Sequence, residues 1–366
     1  MPKTRPIPRH ALLSFLLTVM ACAQSACTSL PAGEAANPAM PAAPLPDAAQ
    51  GESPELRQRI TGSIITVSPV GGIVRIALPS LQHSLERPAN AGRSAIVSLS
   101  PPDAQDAVAF ISASSGWTRG FSVGLMAHGE ERHLFSGSGD PLWDHAISPL
   151  ALAPGGGRLA FVVQPAGAPR FSPSLNGPLQ AWEPGARVVR DLGVRAAGER
   201  PAWFPDGKRL LYVAKTSETA TPESASEDAY AIHLLDVDSG ADQVLLAGHM
   251  PLVSTDGASV LAAQGKRFEL VLADVATGAQ QRIARRHGLG TPVALIDSRY
   301  LAYTGHPTPG APQGLTVNNS NFVGPKAMLA VKLLDLQSGE FTTLVPLIDP
   351  RSSVTAFGHA TAGAAK

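Results

Sequence analysis

The 366-residue chain has few cysteines, few aromatic residues and no excess of charge of either sign. Its two cysteines, Cys22 and Cys27, both lie near the N-terminus, so no disulfide framework is predicted for the rest of the chain. Lys and Arg total 29, as do Asp and Glu, and this balance gives no field that would attract nucleic acid. Aromatic residues make up 5% and do not cluster, so no platform for stacking bases or sugars is expected.

The N-terminus has the order of features found in secretory signals. Basic residues precede an apolar run from Ala11 to Ala21, which is too short to span a bilayer. The segment Val19–Cys22 resembles the lipobox of bacterial lipoproteins, and this resemblance implies cleavage before Cys22 and acylation of its thiol. Two alternatives stay open, namely ordinary cleavage after Ala23 and the use of Cys27.

These features predict three segments. Residues 1–21 form a signal peptide, residues 22–56 form a lipidated and flexible tether rich in Ala and Pro, and residues 57–366 form the folded domain. The residue after Cys22 is Ala23 and not the acidic residue associated with inner-membrane retention. We therefore expect an exported protein that faces the periplasm, is anchored in the outer membrane, and contacts the membrane only through its lipid.

The folded domain is predicted to be all-β. The whole chain has 35 Gly and 33 Pro without collagen periodicity, and this composition favours many turns. The clearest hairpin is Pro201–Lys215, where Pro205, Asp206 and Gly207 have the chemistry of a tight turn. Weaker copies place their turns at Pro102, Pro154 and Thr255. The resulting spacing of about 50 residues is typical of four-stranded propeller blades.

A second signature closes the outer strands of three repeats. Each copy is an apolar strand that ends in Asp and is followed by a Ser/Thr-Gly turn. The turn residues are Asp236 with Gly240, Asp274 with Gly278, and Asp335 with Gly339.

Together these repeats resemble the propeller domain of the TolB family, where hairpins with a Pro-Asp-Gly turn alternate with strands that end in Asp and Thr-Gly. The resemblance covers roughly Ile60 to His359 and implies a β-propeller. Only Pro205-Asp206-Gly207 keeps the full turn, and the N-terminal α/β domain of the family is missing from the pattern.

Six blades are predicted, and seven is the alternative. Complete repeats begin near Arg93, Trp143, Arg200, His249 and Thr291, whereas the sixth needs strands from both ends of the chain. Sharing one blade between the N- and C-terminal strands closes the ring and removes exposed sheet edges.

The innermost strands of a propeller begin near its central channel, so residues just before them should meet at one mouth. These candidates for binding a partner are Arg93, His145, Arg200, His249 and His287. The function predicted from them is a non-catalytic scaffold without a cofactor that binds an envelope protein or peptide. The alternative is a propeller lyase or hydrolase in which His145, His249 and His287 hold a transition metal.

Two further motifs are predicted to be structural. Gly120–Gly124 matches the G-x-S-x-G pattern of a nucleophile elbow, but no run of α/β units surrounds it, so a propeller strand is expected. Asp236–Asp242 has the alternating carboxylates of a calcium loop, but Ala247 occupies the position of the bidentate Glu. A turn at the end of a strand is therefore expected there.

Overall fold

The structure is a computed structural model. It describes residues 52–67, 72–87, 94–103, 105–114, 120–138, 147–163, 176–183, 189–216, 230–265, 269–283, 289–305, 329–348 and 354–361. The predicted signal peptide, Cys22 and nearly all of the predicted tether lie outside these ranges. No helix in the described ranges has both the length and the apolar character needed to cross a membrane.

The described strands form six antiparallel sheets of four strands each, which we call blades 1 to 6 in chain order. Blade 1 combines β1 (Ile60–Val67), β2 (Ile73–Leu78) and β3 (His83–Arg87) with β24 (Val354–Ala360). Blade 2 comprises β4 (Ser94–Leu99), β5 (Val108–Ser114), β6 (Gly120–Ala127) and β7 (Glu130–Ser138). Blade 3 comprises β8 (Ala151–Leu152), β9 (Leu159–Val162), β10 (Gly177–Trp182) and β11 (Arg190–Ala196).

The remaining three blades follow the same order. Blade 4 comprises β12 (Ala202–Trp203), β13 (Arg209–Lys215), β14 (Tyr230–Asp236) and β15 (Asp242–Ala247). Blade 5 comprises β16 (His249–Val253), β17 (Ser259–Gln264), β18 (Glu269–Asp274) and β19 (Gln280–Ile283). Blade 6 comprises β20 (Pro292–Ile296), β21 (Tyr300–Gly305), β22 (Leu329–Asp335) and β23 (Phe341–Ile348). The prediction of a six-bladed propeller is confirmed.

The ring closes in blade 1, as predicted from the two ends of the chain. The C-terminal strand β24 pairs antiparallel with the N-terminal strand β1, from Ile60 opposite Ala360 to Thr66 opposite Val354. Gly62 has a positive φ of 141°, and a Cβ there would collide with the Phe357 carbonyl oxygen. The close approach of the two strands therefore requires glycine at this position.

A short 3-10 helix, Pro54–Arg59, precedes β1 and packs onto the ring. Its Leu56 side chain is fully buried in the cluster between blades 1 and 6. The Ser53 backbone N–H donates to the Phe341 carbonyl at 2.8 Å. Residues Ser53 to Leu56 thus pack on the propeller, although the composition predicts that the domain starts at Arg57.

Six apolar clusters in the described part of the chain each join two neighbouring blades. Middle strands lie between two such clusters, so they are buried on both faces and read as continuous apolar runs. In β9 all four residues are buried, whereas five of the six residues of the outermost strand β15 are exposed or partly exposed. Packing between blades thus explains why the strands lack a clean polar alternation.

The predicted turn residues adopt turn geometry. The Asp206 carboxylate accepts hydrogen bonds from the backbone N–H groups of Lys208 and Arg209, and Gly207 has a φ of +65°. Asp236 accepts from both the N–H and the hydroxyl of Ser239. Asp274 and Asp335 occupy the same position in their turns, and Gly240, Gly278 and Gly339 all have positive φ. Gly120–Gly124 lies within strand β6, as expected.

Candidate functional site

The inner strands of the blades surround a cavity of about 230 Å³ in the central channel. All six blades contribute to its wall, because the lining residues include Pro101 of blade 2, Leu152 of blade 3, Trp203 of blade 4, Leu252 of blade 5, and a pair from blades 6 and 1, Leu295 and Phe357. Every blade therefore places part of its inner edge against one shared space. A concave apolar pocket with a few polar groups is the usual form of a binding site.

Proline is the most frequent residue type in the channel wall. Proline lacks a backbone N–H and is tolerated on an edge strand, where Pro251 lies in β16, and the other prolines of the wall lie just outside the inner strands. The two shortest inner strands, β8 and β12, have only two residues each. The prolines that line the cavity are Pro101, Pro102, Pro154, Pro201, Pro205 and Pro251. They make the wall apolar and leave it with few backbone donors.

Arg200 is the cation in this apolar wall. It precedes β12 in blade 4, and its Nη2 donates to the Leu99 carbonyl of blade 2 at 2.8 Å, so the side chain reaches past blade 3. Its Nε is buried and has no hydrogen-bond partner among the described residues. Burial lowers the pKa of Arg200 to about 10, which still leaves the guanidinium protonated at neutral pH.

The acid next to Arg200 in the chain does not neutralise it. Glu199 turns to blade 5, where its carboxylate accepts a hydrogen bond from the Met250 N–H at 2.6 Å. The same carboxylate lies 3.6 Å from Nδ1 of His249. No ion pair joins Arg200 to an acidic side chain in the described ranges. The channel wall therefore carries a positive charge without a described counterion.

The side chain of His249 contacts two neighbouring side chains, those of Tyr230 and Glu199. Its ring packs 6.3 Å from that of Tyr230, at an angle of 45°, while Glu199 faces its Nδ1. Burial, and then the nearby Glu199 carboxylate, raise the pKa of Tyr230. These three side chains form a small polar cluster at the start of β16.

The structure describes two of the five predicted channel-mouth residues, Arg200 and His249. Arg93, His145 and His287 lie outside the described residues, as does the predicted lipid anchor Cys22. Within the described ranges, no three His, Cys, Asp or Glu side chains gather in a way that could hold a metal ion. A site that uses His145 and His287 stays a prediction, as does partner binding at the channel mouth.

A second polar cluster, which the sequence patterns miss, lies where the inner hairpins turn. The Asp297 carboxylate accepts hydrogen bonds from the Thr255 hydroxyl at 2.7 Å and from the Ala360 backbone N–H. It also lies 3.5 Å from Nδ1 of His359, which lines the cavity. Asp297 thus links the inner edges of blades 5, 6 and 1, and it fastens the last strand of the chain. Its turn lacks the Pro-Asp-Gly pattern, so the weak repeat that begins near Thr291 did not single out Asp297.

Comparison with known proteins supports the fold. No family model matches the chain, and no curated protein matches its sequence. The chain resembles the crystal structure of TolB from Acinetobacter baumannii, with a TM-score of 0.55 and 13% identity over 81% of this chain and 66% of that chain. It also resembles a chain in the crystal structure of a nidogen/laminin complex, with a TM-score of 0.51 and 13% identity over 81% of this chain and 98% of that one.

These similarities define the class of protein, a six-bladed β-propeller with TolB-like architecture. At 13% identity they concern the fold alone. The matched part is somewhat less than two thirds of the TolB chain. A shared propeller fold hosts many functions, so function has to be argued from the channel itself.

Proposed function

We propose that this protein is a non-catalytic scaffold of the cell envelope that uses the central channel of its propeller to bind a protein partner. The observation that carries the proposal is the channel wall, which is apolar, rich in proline and contributed by all six blades, with the charged Arg200 among its residues. Buried apolar surface supplies affinity, and a few polar groups fix the orientation of what binds.

The rigidity of the wall supports a role in binding. Prolines have a fixed φ, and the inner strands are held by the apolar clusters between blades, so the site is formed before a partner arrives. The nidogen/laminin complex shows that a protein chain of similar fold occurs in an assembly with another protein. For this chain the partner is an envelope protein or peptide that presents an apolar segment.

The location of the scaffold is part of the same proposal. A lipid on Cys22, followed by the Ala- and Pro-rich segment up to residue 56, would tether the propeller to the outer membrane on its periplasmic side. The described residues include the last part of that segment, from Glu52 onward. Such a tether keeps the channel close to envelope proteins without inserting the domain into the bilayer.

Site-specific photocrosslinking in intact cells tests this proposal. A benzophenone amino acid replaces Phe357 or Leu252, which line the channel, and in control variants it replaces Leu85 or Val244. The two control positions lie on outermost strands and are 63% and 62% exposed.

We expect both channel positions to give an adduct with the same protein, identified by mass spectrometry, and the outer positions to lack it. If the channel positions give no protein adduct, or if all four positions give the same adducts, the channel is not the binding surface.

A further inference from the structure

The size and the wall of the cavity limit what can enter it. Its volume of about 230 Å³ lies below the roughly 300–1,000 Å³ of sites for drug-sized ligands, so a bound group must be small. Leu252, Val253, Val293 and Leu295 line it together with the six prolines. An occupant therefore needs a compact apolar body.

Arg200 supplies the polar requirement. A guanidinium has five N–H bonds, and in the described ranges one acceptor, the Leu99 carbonyl, receives a hydrogen bond from it. Arg200 is partly exposed as a residue and lines the cavity, where an occupant would meet its guanidinium. The planar arrangement of the guanidinium nitrogens matches the two oxygens of a carboxylate.

Leaving this cation in an apolar channel is costly. Buried charges in proteins are ordinarily paired, because loss of hydration disfavours the charged form. Arg200 is partly exposed, but its Nε is buried and has no hydrogen-bond partner among the described residues. An anion bound in the cavity would offset this cost, which no acidic side chain of the described residues offsets.

The other ionisable groups near the cavity do not compete for this role. Glu199 is engaged by Met250 and His249, and His359 faces the Asp297 carboxylate where the inner hairpins turn. Among the described lining residues, Arg200 is the one Lys or Arg, and its single positive charge matches one singly charged anion.

From this geometry we infer that the channel cavity binds a small apolar carboxylate, whose two oxygens accept hydrogen bonds from the terminal guanidinium nitrogens of Arg200 while its apolar body contacts the prolines. This ligand site does not depend on the proposed protein partner, so either proposal can fail alone. The carboxylate can belong to a free acid or to an acidic side chain that a partner inserts into the cavity.

Titration calorimetry tests the site with hexanoate and benzoate as probes and with hexanamide as the neutral match for hexanoate. The protein is the mature chain from residue 22 with Cys22→Ser, which needs no detergent. We expect saturable binding of at least one carboxylate and no saturable binding of hexanamide. Arg200→Met should weaken binding of the carboxylate about 10- to 100-fold, which is the usual effect of losing hydrogen bonds to a charged group.

Two further variants make the test specific. Arg200→Lys keeps the charge but loses the planar fork, so an intermediate loss is expected. Arg282→Met removes a cation whose side chain is 72% exposed on the outer strand β19, and it should leave binding unchanged. If Arg200→Met fails to fold, Arg200→Lys and the hexanamide comparison decide the question.

The inference is overturned if neither carboxylate saturates, if hexanamide binds as well as hexanoate, or if a folded Arg200→Met binds the carboxylate as tightly as the parent chain. If the site binds a carboxylate, two observations distinguish the natural source of that carboxylate. A small acid released from the denatured native protein indicates a free ligand. Loss of the Phe357 crosslink in Arg200→Met indicates an acidic side chain of a partner.

Discussion

Asp335 gives the sharpest prediction for stability, because it joins blade 6 to the segment that precedes blade 1. Its side chain is fully buried and accepts hydrogen bonds from Arg299, with Nη2 at 2.8 Å, and from the Gln337 backbone N–H. Nη1 of Arg59, which ends the 3-10 helix, lies 3.5 Å away. Breaking a buried pair by removing one partner costs about 3–5 kcal/mol.

For Asp335→Ala we expect a loss near the lower limit, about 3 kcal/mol, because the Arg299 side chain is 18% exposed and regains some hydration. For a domain of this size this corresponds to a fall in Tm of roughly 5 °C. Thermal unfolding followed by circular dichroism measures it.

The repeat supplies matched controls for this variant. Asp236→Ala and Asp274→Ala remove the same turn residue from blades 4 and 5, where its side-chain hydrogen bonds are local, to Ser239 and Thr277. Their Tm should fall clearly less than that of Asp335→Ala. Equal losses at all three positions would refute the reasoning, because the effect would then belong to the turn and not to the contacts with the two arginines.

Three further outcomes are expected. Arg200→Met should raise the free energy of unfolding by about 1 kcal/mol, seen as a higher Tm, because it removes a poorly paired cation from an apolar wall. Burial alone would raise the pKa of Asp335, but the hydrogen bonds from Arg299 and the Gln337 N–H lower it overall. The contribution of Asp335 to stability is therefore present above the unfolded pKa of about 4, and it is lost as the pH falls through the lower folded pKa. Unfolding profiles of the parent chain and Asp335→Asn should therefore converge in acid. Cys22→Ser should release the protein from the membrane fraction, which cell fractionation measures.

The sequence predicted the parts of the fold that depend on local chemistry. The turns at Asp206 and Asp236 are built from residues within three positions of each other, so composition and spacing were sufficient to predict them. The repeat length predicted four-stranded blades, and counting the repeats predicted that there are six. The pairing of β1 with β24 was predicted by a more general argument, since an open ring would leave sheet edges unpaired.

The contacts that organise the channel could not be predicted in this way. Asp297 accepts hydrogen bonds from residues 42 and 63 positions away in the chain, and Arg200 reaches a carbonyl 101 positions away. Counting positions before each inner strand pointed to Arg200, which lines the cavity, and to His249, which is not among the described lining residues. It gave no sign that Glu199 would engage His249, because that contact depends on how blades 4 and 5 pack.

The composition around the start of the domain was also incomplete as a guide. The Ala- and Pro-rich pattern predicted a tether through residue 56, yet Leu56 is fully buried between blades 1 and 6. A single apolar residue in a polar segment carries no periodic signal, and its burial depends on a surface formed by distant strands.

The claim that the channel acts through Arg200 is tested most directly by the yield of the partner adduct from the Phe357 position in an Arg200→Glu background. Arg282→Glu provides the same charge reversal on the outside of the propeller. We expect Arg200→Glu to fold and to abolish the adduct. We expect Arg282→Glu to leave the adduct intact. An undiminished adduct from a folded Arg200→Glu protein would contradict the central role assigned to this residue.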